Sequence, residues 1–168
     1  MRYVSTRGAI EPVDFTDAVL MGLADDGGLV VPESVPTVTD RLDAWRELSY
    51  AHLALEVIRL FATDVDEATL GALVDRTYSQ DIFDPDVAPV VEVGGLHVCE
   101  LWHGPTAAFK DMALQILPHF LTLAARKFHT GREIVILVAT SGDTGKAALE
   151  GFRDVEGTHI IVFYPKHG

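Results

Sequence analysis

The sequence predicts an α/β protein in which a small, mostly helical first half precedes the beginning of a parallel-sheet domain. Within residues 48–61 and 66–78, apolar side chains recur with the spacing of amphipathic helices. Within residues 133–164, two apolar, largely β-branched runs flank a helical stretch. That order is typical of a strand–helix–strand unit, whose two strands are parallel and joined by a right-handed crossover.

The first half is predicted to contain three helices joined by short extended pieces. Residues 2–6 suit a short edge strand, and Asp14 is a good N-cap for a helix over residues 15–24. The sequence Asp-Asp-Gly-Gly at 25–28 ends that helix, and residues 29–31 are extended. The two amphipathic helices follow. No group of residues in this half has the pattern of a catalytic or binding site, so we interpret it as a packing and lid domain.

A domain boundary is predicted in the polar, proline-containing residues 79–86. It divides the chain into an N-terminal domain, 1–86, and the first part of an α/β domain, 87–168. The second domain opens with residues 89–101, where two apolar runs surround a Gly-Gly pair, the pattern of a β-hairpin.

The rest of the second domain is predicted as a long helix followed by the strand–helix–strand unit. The helix covers residues 106–128 and should be kinked at Pro118, because proline removes a backbone hydrogen bond and clashes with the preceding turn. The first strand, 133–138, is a continuous β-branched run, typical of a strand buried on both faces. A helix to about residue 154 and a second buried strand, 160–164, complete the unit.

Composition limits the classes of function. The net charge of −12 argues against nonspecific nucleic-acid binding. The single cysteine, Cys99, excludes an internal disulfide and fits a reducing cytoplasm; its alternating apolar neighbours predict a small core residue. The chain opens without a secretory signal, and no stretch approaches the roughly 20 apolar residues of a membrane span.

The first candidate for chemistry is Lys110. A glycine–proline turn at 104–105 precedes Thr106, a good N-cap, which places Lys110 in the first turn of the predicted long helix. A cation is unfavourable at that positive helix end, and Phe109 beside it is apolar, so both features favour a neutral, nucleophilic amine. Lysine amines of this kind bind carbonyl cofactors such as pyridoxal phosphate covalently. The alternative is a solvated lysine paired with Asp111.

The second candidate is the loop Ala-Thr-Ser-Gly-Asp-Thr-Gly at 139–145, which follows a strand and opens a helix. Unpaired backbone N–H groups and the helix dipole favour an anion there, and Ser141 and Thr144 add hydroxyl donors. The alternative is a tight turn in which Asp143 or Thr144 is an N-cap. Lys146, in the following turn, is either a further anion contact or a solvated residue.

Two nucleotide motifs are excluded at this loop. A triphosphate-binding loop requires glycine where Thr140 stands and serine or threonine where Ala147 stands. A dinucleotide fingerprint requires three glycines, and only Gly142 and Gly145 are present.

A metal site is not predicted. His97, Cys99 and His103 lack a fourth ligand and the usual metal-ligand spacing. We instead interpret His103 as a loop residue near the site that orients the lysine or contacts a substrate phosphate.

Together, the two stretches resemble threonine synthase, a pyridoxal-phosphate enzyme of the tryptophan-synthase-β type. That family carries lysine in the context His-Gly-Pro-Thr-x-x-Phe-Lys-Asp, present here at 103–111, and Ser-Gly-Asp-Thr-Gly about thirty residues later, present at 141–145. Its opening segment is also matched, by Phe15, Ala18, Val19, Gly22, Leu23, the Asp-Gly-Gly-Leu at 26–29, and Pro32. The resemblance covers essentially the whole chain.

The resemblance implies a fold type II pyridoxal-phosphate domain and a lyase that converts O-phospho-L-homoserine and water to L-threonine and phosphate. Lys110 would hold the cofactor and move protons, Phe109 would pack by the cofactor ring, and Asp143 would stand near the ring hydroxyl. The remaining implied residues surround the substrate: Thr140, Ser141, Gly142, Thr144 and Gly145 at its carboxylate, and His103 nearby.

Members of this family are far longer than 168 residues, and nothing here matches their phosphate-binding loop or the partner of the ring nitrogen. We therefore expect an N-terminal portion with weak or no catalysis alone, whose exposed sheet favours self-association. Two alternatives stay open: a related phospholyase acting on another phosphorylated amino alcohol, and a non-catalytic interaction fragment.

Overall fold

A computed structural model describes residues 1–128 and 131–166 as helices packed with three two-stranded sheets. In chain order the elements are β1 (Tyr3–Ser5), α1 (Phe15–Met21), β2 (Val30–Pro32), α2 (Leu42–Trp45), α3 (Tyr50–Ile58), α4 (Glu67–Thr77), β3 (Val90–Val93), β4 (Leu96–Cys99), α5 (Asp111–Leu114), α6 (Leu117–Lys127), β5 (Ile134–Ala139), α7 (Asp143–Gly151) and β6 (Thr158–Phe163).

The main core is helical and joins α1, α3, α4 and α6. The amphipathic pattern predicted α3 and α4, and each begins at a side-chain cap: Ser49 accepts from the N–H of His52, and Asp66 from that of Thr69. The buried cluster at the centre comprises Ala62, Leu70, Val74, Ile116 and Phe120. Its members come from both sides of the predicted boundary at 86/87, which itself stays a prediction.

The prediction of one long helix over residues 106–128 is wrong. Residues 104–110 form turns, and helix begins only with the short α5, followed by a break and then α6. Pro118 lies at the start of α6, where its missing N–H leaves no hydrogen bond unmade, and so it initiates a helix instead of kinking one. Thr106 is accordingly not an N-cap.

The predicted hairpin and the strand–helix–strand unit are confirmed. β3 and β4 are antiparallel, with Val93 paired to Leu96 across the glycine turn. β5 and β6 are parallel, with Ile136 paired to Ile160, and α7 connects them. β1 and β2 form a further antiparallel pair.

The prediction that β5 and β6 are buried on both faces is wrong. Their side chains alternate between half-buried and exposed, and Leu137 is 66% and Phe163 60% exposed. α7 packs on the pair, and the apolar side chains on the opposite face of the pair are exposed. Cys99 is likewise exposed, contrary to its prediction as a core residue, because it points outward from the two-stranded hairpin.

Helices long and apolar enough to cross a membrane are not found in the part of the chain that the structure describes.

Candidate active site

Lys110 and the loop after β5 line one cavity of about 370 Å³. The loop residues in its lining are Thr140, Ser141, Gly142, Asp143 and Thr144. The structure therefore brings together the two stretches that the sequence singled out. Packing of α5 against α7 sets their spacing. A side chain at Gly151 would place its Cβ 2.1 Å from the carbonyl oxygen of Leu114, so the two helix backbones are in direct contact. A larger cavity, about 530 Å³, lies elsewhere beside Arg126 and Ile134, away from both stretches.

The loop is held by its first threonine. The Oγ1 of Thr140 accepts from the N–H of Gly142 at 3.1 Å and from that of Gly145 at 3.2 Å. A Cβ at Gly145 would lie 2.1 Å from the Thr140 methyl carbon, so only glycine fits there. The first N–H groups of α7, at Asp143 and Thr144, have no acceptor within the helix and lie at its positive end. The open part of the loop is therefore suited to an anion such as a carboxylate.

Asp143 lines the cavity and pairs with Lys146, whose Nζ is 3.5 Å from Oδ1. Both side chains are more than half exposed, so this pair adds little stability. Lys146 does, however, hold a cation beside the first turn of α7, where it partly offsets the carboxylate of Asp143.

Lys110 is half-buried and immediately precedes α5. Its Nζ lies 4.0 Å from the ring centroid of Phe109, a cation–π distance that stabilises an ammonium. Phe109 is 61% exposed, so it flanks the lysine instead of burying it, and it does not belong to the described lining of the cavity. The neighbouring Asp111 carboxylate bonds to Thr106 and Gln115.

His103 lies outside the described lining of the cavity. Its Nδ1 is 3.0 Å from the Asp84 carboxylate and its Nε2 is 2.7 Å from that of Glu100. The hydrogen bond with Asp84, followed by that with Glu100, raises the pKa of His103 above its ordinary value. The ring therefore ties the segment before β3 to the end of β4. Whether it contacts substrate, as the resemblance implied, stays a prediction.

Asp111 was considered from the sequence only as the partner of a solvated Lys110, yet its side chain is fully buried. Its carboxylate accepts 2.8 Å hydrogen bonds from the backbone N–H and the Oγ1 of Thr106. The available signal was an aspartate five positions after a threonine and directly before the apolar residues 112–114. Among the described residues, no group of three or more histidine, cysteine or acidic side chains is arranged to hold a metal ion.

Comparison with known proteins first shows which family model part of the chain resembles. Residues 2–78 match the family model described as the threonine synthase N terminus. This match covers the helical half, which contains the opening segment of the resemblance found in the sequence.

The individual relatives then extend this resemblance. The chain is 44% identical to threonine synthase from Pseudomonas aeruginosa over 98% of its length, and 40% identical to threonine synthase-like 2 from Xenopus laevis over 100%. A pyridoxal-phosphate-bound threonine synthase from Brucella melitensis superposes on 99% of the chain, with a TM-score of 0.91 at 39% identity.

The chain spans about a third of the length of these relatives: 35% and 36% of the two curated sequences and 36% of the solved chain. The chain is thus similar in sequence and in fold to the N-terminal portion of threonine synthases, as the motifs predicted.

Proposed function

We propose that this chain carries the lysine-bearing part of a pyridoxal-phosphate-dependent threonine synthase, a lyase that converts O-phospho-L-homoserine and water to L-threonine and phosphate. The observation that carries the proposal is that Lys110 and the loop at the start of α7 line the same cavity. The proposal includes the finer fold assignment, that α5 to β6 begin a fold type II domain, and a cytoplasmic setting, which the single cysteine favours.

The residues of the cavity fit the cofactor and an amino-acid substrate. A cavity of about 370 Å³ is within the size range of small-molecule sites. It offers one primary amine, at Lys110, for a covalent bond to an aldehyde. At its other side, the N–H groups of α7 and the hydroxyls of Ser141 and Thr144 form a donor set for a carboxylate. Lys110 would hold the cofactor, with Phe109 and Asp143 at its edges.

When bound, pyridoxal phosphate supplies an electron sink for the bonds at the substrate's α carbon. The chain's own residues would bind and orient the substrate and transfer its protons. The loop fixes the substrate carboxylate, which orients the α and β carbons towards Lys110. Lys110, once released from its covalent role, accepts and returns protons at those carbons. Phosphate leaves the γ carbon and water adds at the β carbon, so that the atoms of substrate and water balance those of threonine and phosphate.

The test is covalent capture of pyridoxal phosphate by the 168-residue chain. We expect an absorption band at about 410–430 nm, the range of this cofactor class when bound to an amine. After borohydride reduction, mass spectrometry should locate the adduct at Lys110. Lys110→Ala should abolish the band, whereas Lys127→Ala, a control lysine variant at the exposed C-terminal end of α6, should keep it. An adduct spread evenly over the lysines, or none, would contradict the proposal and favour a non-catalytic fragment.

A second candidate is a phospholyase acting on another phosphorylated amino alcohol. The similarity to threonine synthase-like 2 supports it, since that relative matches as much of the chain as the named synthases do. The carboxylate donor set separates the two. Titration of the cofactor-loaded chain with O-phospho-L-homoserine should shift its absorption more strongly than titration with phosphoethanolamine, which has no carboxylate. Preference for phosphoethanolamine would favour the second candidate.

We further propose that the isolated chain self-associates through the outer face of β5 and β6. Support comes from the exposed apolar side chains Val135, Leu137, Ile161 and Phe163 on that face. Catalysis by the chain alone is expected to be weak or absent. Light scattering should show a concentration-dependent mass, which Leu137→Lys should lower, while a constant monomer would contradict the proposal.

A further inference from the structure

The buried carboxylate of Asp111 is the strongest polar feature near the site that the proposed reaction does not use. The side chain has no exposed surface, and both of its oxygens accept hydrogen bonds: Oδ2 from the N–H of Thr106, and Oδ1 from the Oγ1 of Thr106 and, at 3.4 Å, from the Nε2 of Gln115. A buried carboxylate is costly unless such bonds satisfy it, so its presence calls for a structural explanation.

The surrounding packing shows that the arrangement is specific to these residues. A Cβ at Gly104 would lie 2.7 Å from both the Cβ and the Oδ2 of Asp111, so only glycine admits the carboxylate here. We call Gly104, Thr106 and Asp111 the loop lock. It closes a turn segment that contains no regular helix and in which Ala107 has the left-handed φ of 52°, an unfavourable value for alanine.

The loop lock bears directly on the lysine. Lys110 is the last residue of the closed segment and is covalently joined to Asp111, the first residue of α5. A freed segment could relax the strained Ala107, and Lys110 would then leave the cavity that it shares with Ser141 and Thr144.

We propose that Asp111 is a positioning residue: with Thr106 and Gly104 it holds the 104–110 segment in the one conformation that directs Lys110 towards the loop at the start of α7. The orientation of the lysine rests on geometry alone. Its consequence for cofactor capture rests on the proposed function.

The first experiment measures lysine orientation without the cofactor. Acetic anhydride is reacted with the full chain in trace amounts, and the acylation rates of Lys110, Lys127 and Lys146 are measured by mass spectrometry. In Asp111→Ala and Thr106→Val we expect the rate at Lys110 to rise severalfold, because the side chain moves from the cavity into solvent. Thr106→Ser keeps the hydroxyl and should restore the wild-type rate.

Lys127 reports on the fold in the same measurement, because its Nζ bonds to Thr16 and Asp64 in the helical core. Thr158→Val is the matched control, since it also removes a 2.8 Å hydroxyl hydrogen bond, to the Val155 carbonyl, away from the lock. A higher acylation rate at Lys110 alone supports the proposal, and an unchanged acylation rate at Lys110 overturns it. If Asp111→Ala unfolds the chain, the acylation rate at Lys127 rises as well. The milder Thr106→Val then supports or overturns the proposal by the same criterion.

The second experiment measures the pyridoxal-phosphate adduct at Lys110 in the same variants. We expect its rate of formation to fall about tenfold to a hundredfold, the effect of misplacing a reacting group by about an ångström. Adduct yields at the other lysines should be unchanged. If the wild-type chain forms no adduct, the proposed function fails while the acylation experiment still tests the lock. If the acylation rate at Lys110 rises but the rate of adduct formation stays unchanged, the claim that lysine orientation governs cofactor capture is overturned.

Discussion

The helical core and the strand–helix–strand unit both contain apolar runs but bury them very differently. In the core, the side chains of Leu70 and Val74 have no exposed surface. In the unit, β5 exposes 66% of Leu137 and β6 exposes 60% of Phe163. The difference shows that an apolar pattern predicts which element forms, whereas burial depends on whether another element covers each face.

The candidate site lies where the two regions meet. Lys110 stands at the end of a segment whose following helices pack into the core, and the anion loop belongs to the strand–helix–strand unit. Since α5 and α7 touch through their backbones at Leu114 and Gly151, small changes at that contact alter the distance between the amine and the loop.

The comparison is sharpest in a pair of leucine truncations. Leu70→Ala should lower the free energy of unfolding by about 2–5 kcal/mol, because it leaves a cavity in a closed core. Leu137→Ala, its matched control on the exposed face of β5, should change it by no more than about 0.5 kcal/mol when measured at chain concentrations low enough for the monomer to dominate. Urea denaturation of both variants measures the difference. Equal losses would mean that the outer face of β5 is covered in solution.

The contact between the two regions can be broken at one glycine. Gly151→Ala forces a Cβ to within 2.1 Å of the Leu114 carbonyl oxygen, and it should lower the free energy of unfolding by about 1–3 kcal/mol. Because the same contact sets the distance between Lys110 and the loop, the variant should also lower adduct formation at Lys110. Gly71→Ala is the control, because its Cβ would meet only the Leu55 side chain at 3.8 Å, and it should stabilise α4 by up to about 1 kcal/mol. A neutral Gly151→Ala in thermal melts would contradict close α5–α7 packing.

The smallest expected effect is an opposite response to pH at two histidines. Burial, followed by the charge of Arg76, lowers the pKa of His119 in α6 below 6.5, so its protonation favours the unfolded state and stability is lost as pH falls below that value. Hydrogen bonds to carboxylates raise the pKa of His103, so its contribution is present at low pH and is lost as pH rises through the raised pKa.

Amide-exchange protection factors at several pH values measure both responses. Between neutral pH and pH 5.5, α6 should lose protection while the segment around His103 gains it, near the ordinary histidine pKa of about 6.5. His119→Leu should remove the pH dependence of protection only in α6, and His103→Gln should remove it only in the segment around residue 103. Parallel changes in the two regions would show that one common unfolding event governs both.

The sequence predicted the order of the elements around the candidate site better than the path of the chain into it. The strand–helix–strand order is enough to put Ser141 and Thr144 at the end of β5, and this arrangement is confirmed. The turns at 106–110 were missed because the apolar residues before Lys110 favour helix locally, whereas the buried Asp111 carboxylate favours turns through contacts that no periodicity encodes. Similarly, the bridge at His103 depends on Asp84, nineteen positions earlier, which no local motif relates to it.

The hydrogen bond between Lys127 and Thr16 joins residues 111 positions apart. Closing so large a loop costs entropy before any contact repays it, and chains dominated by such distant pairs fold slowly. Because α1 packs on α6, we expect the apolar side of α1 to stay uncovered during synthesis until α6 has been made. Chaperone binding at α1 in nascent chains is the natural place to look for this delay.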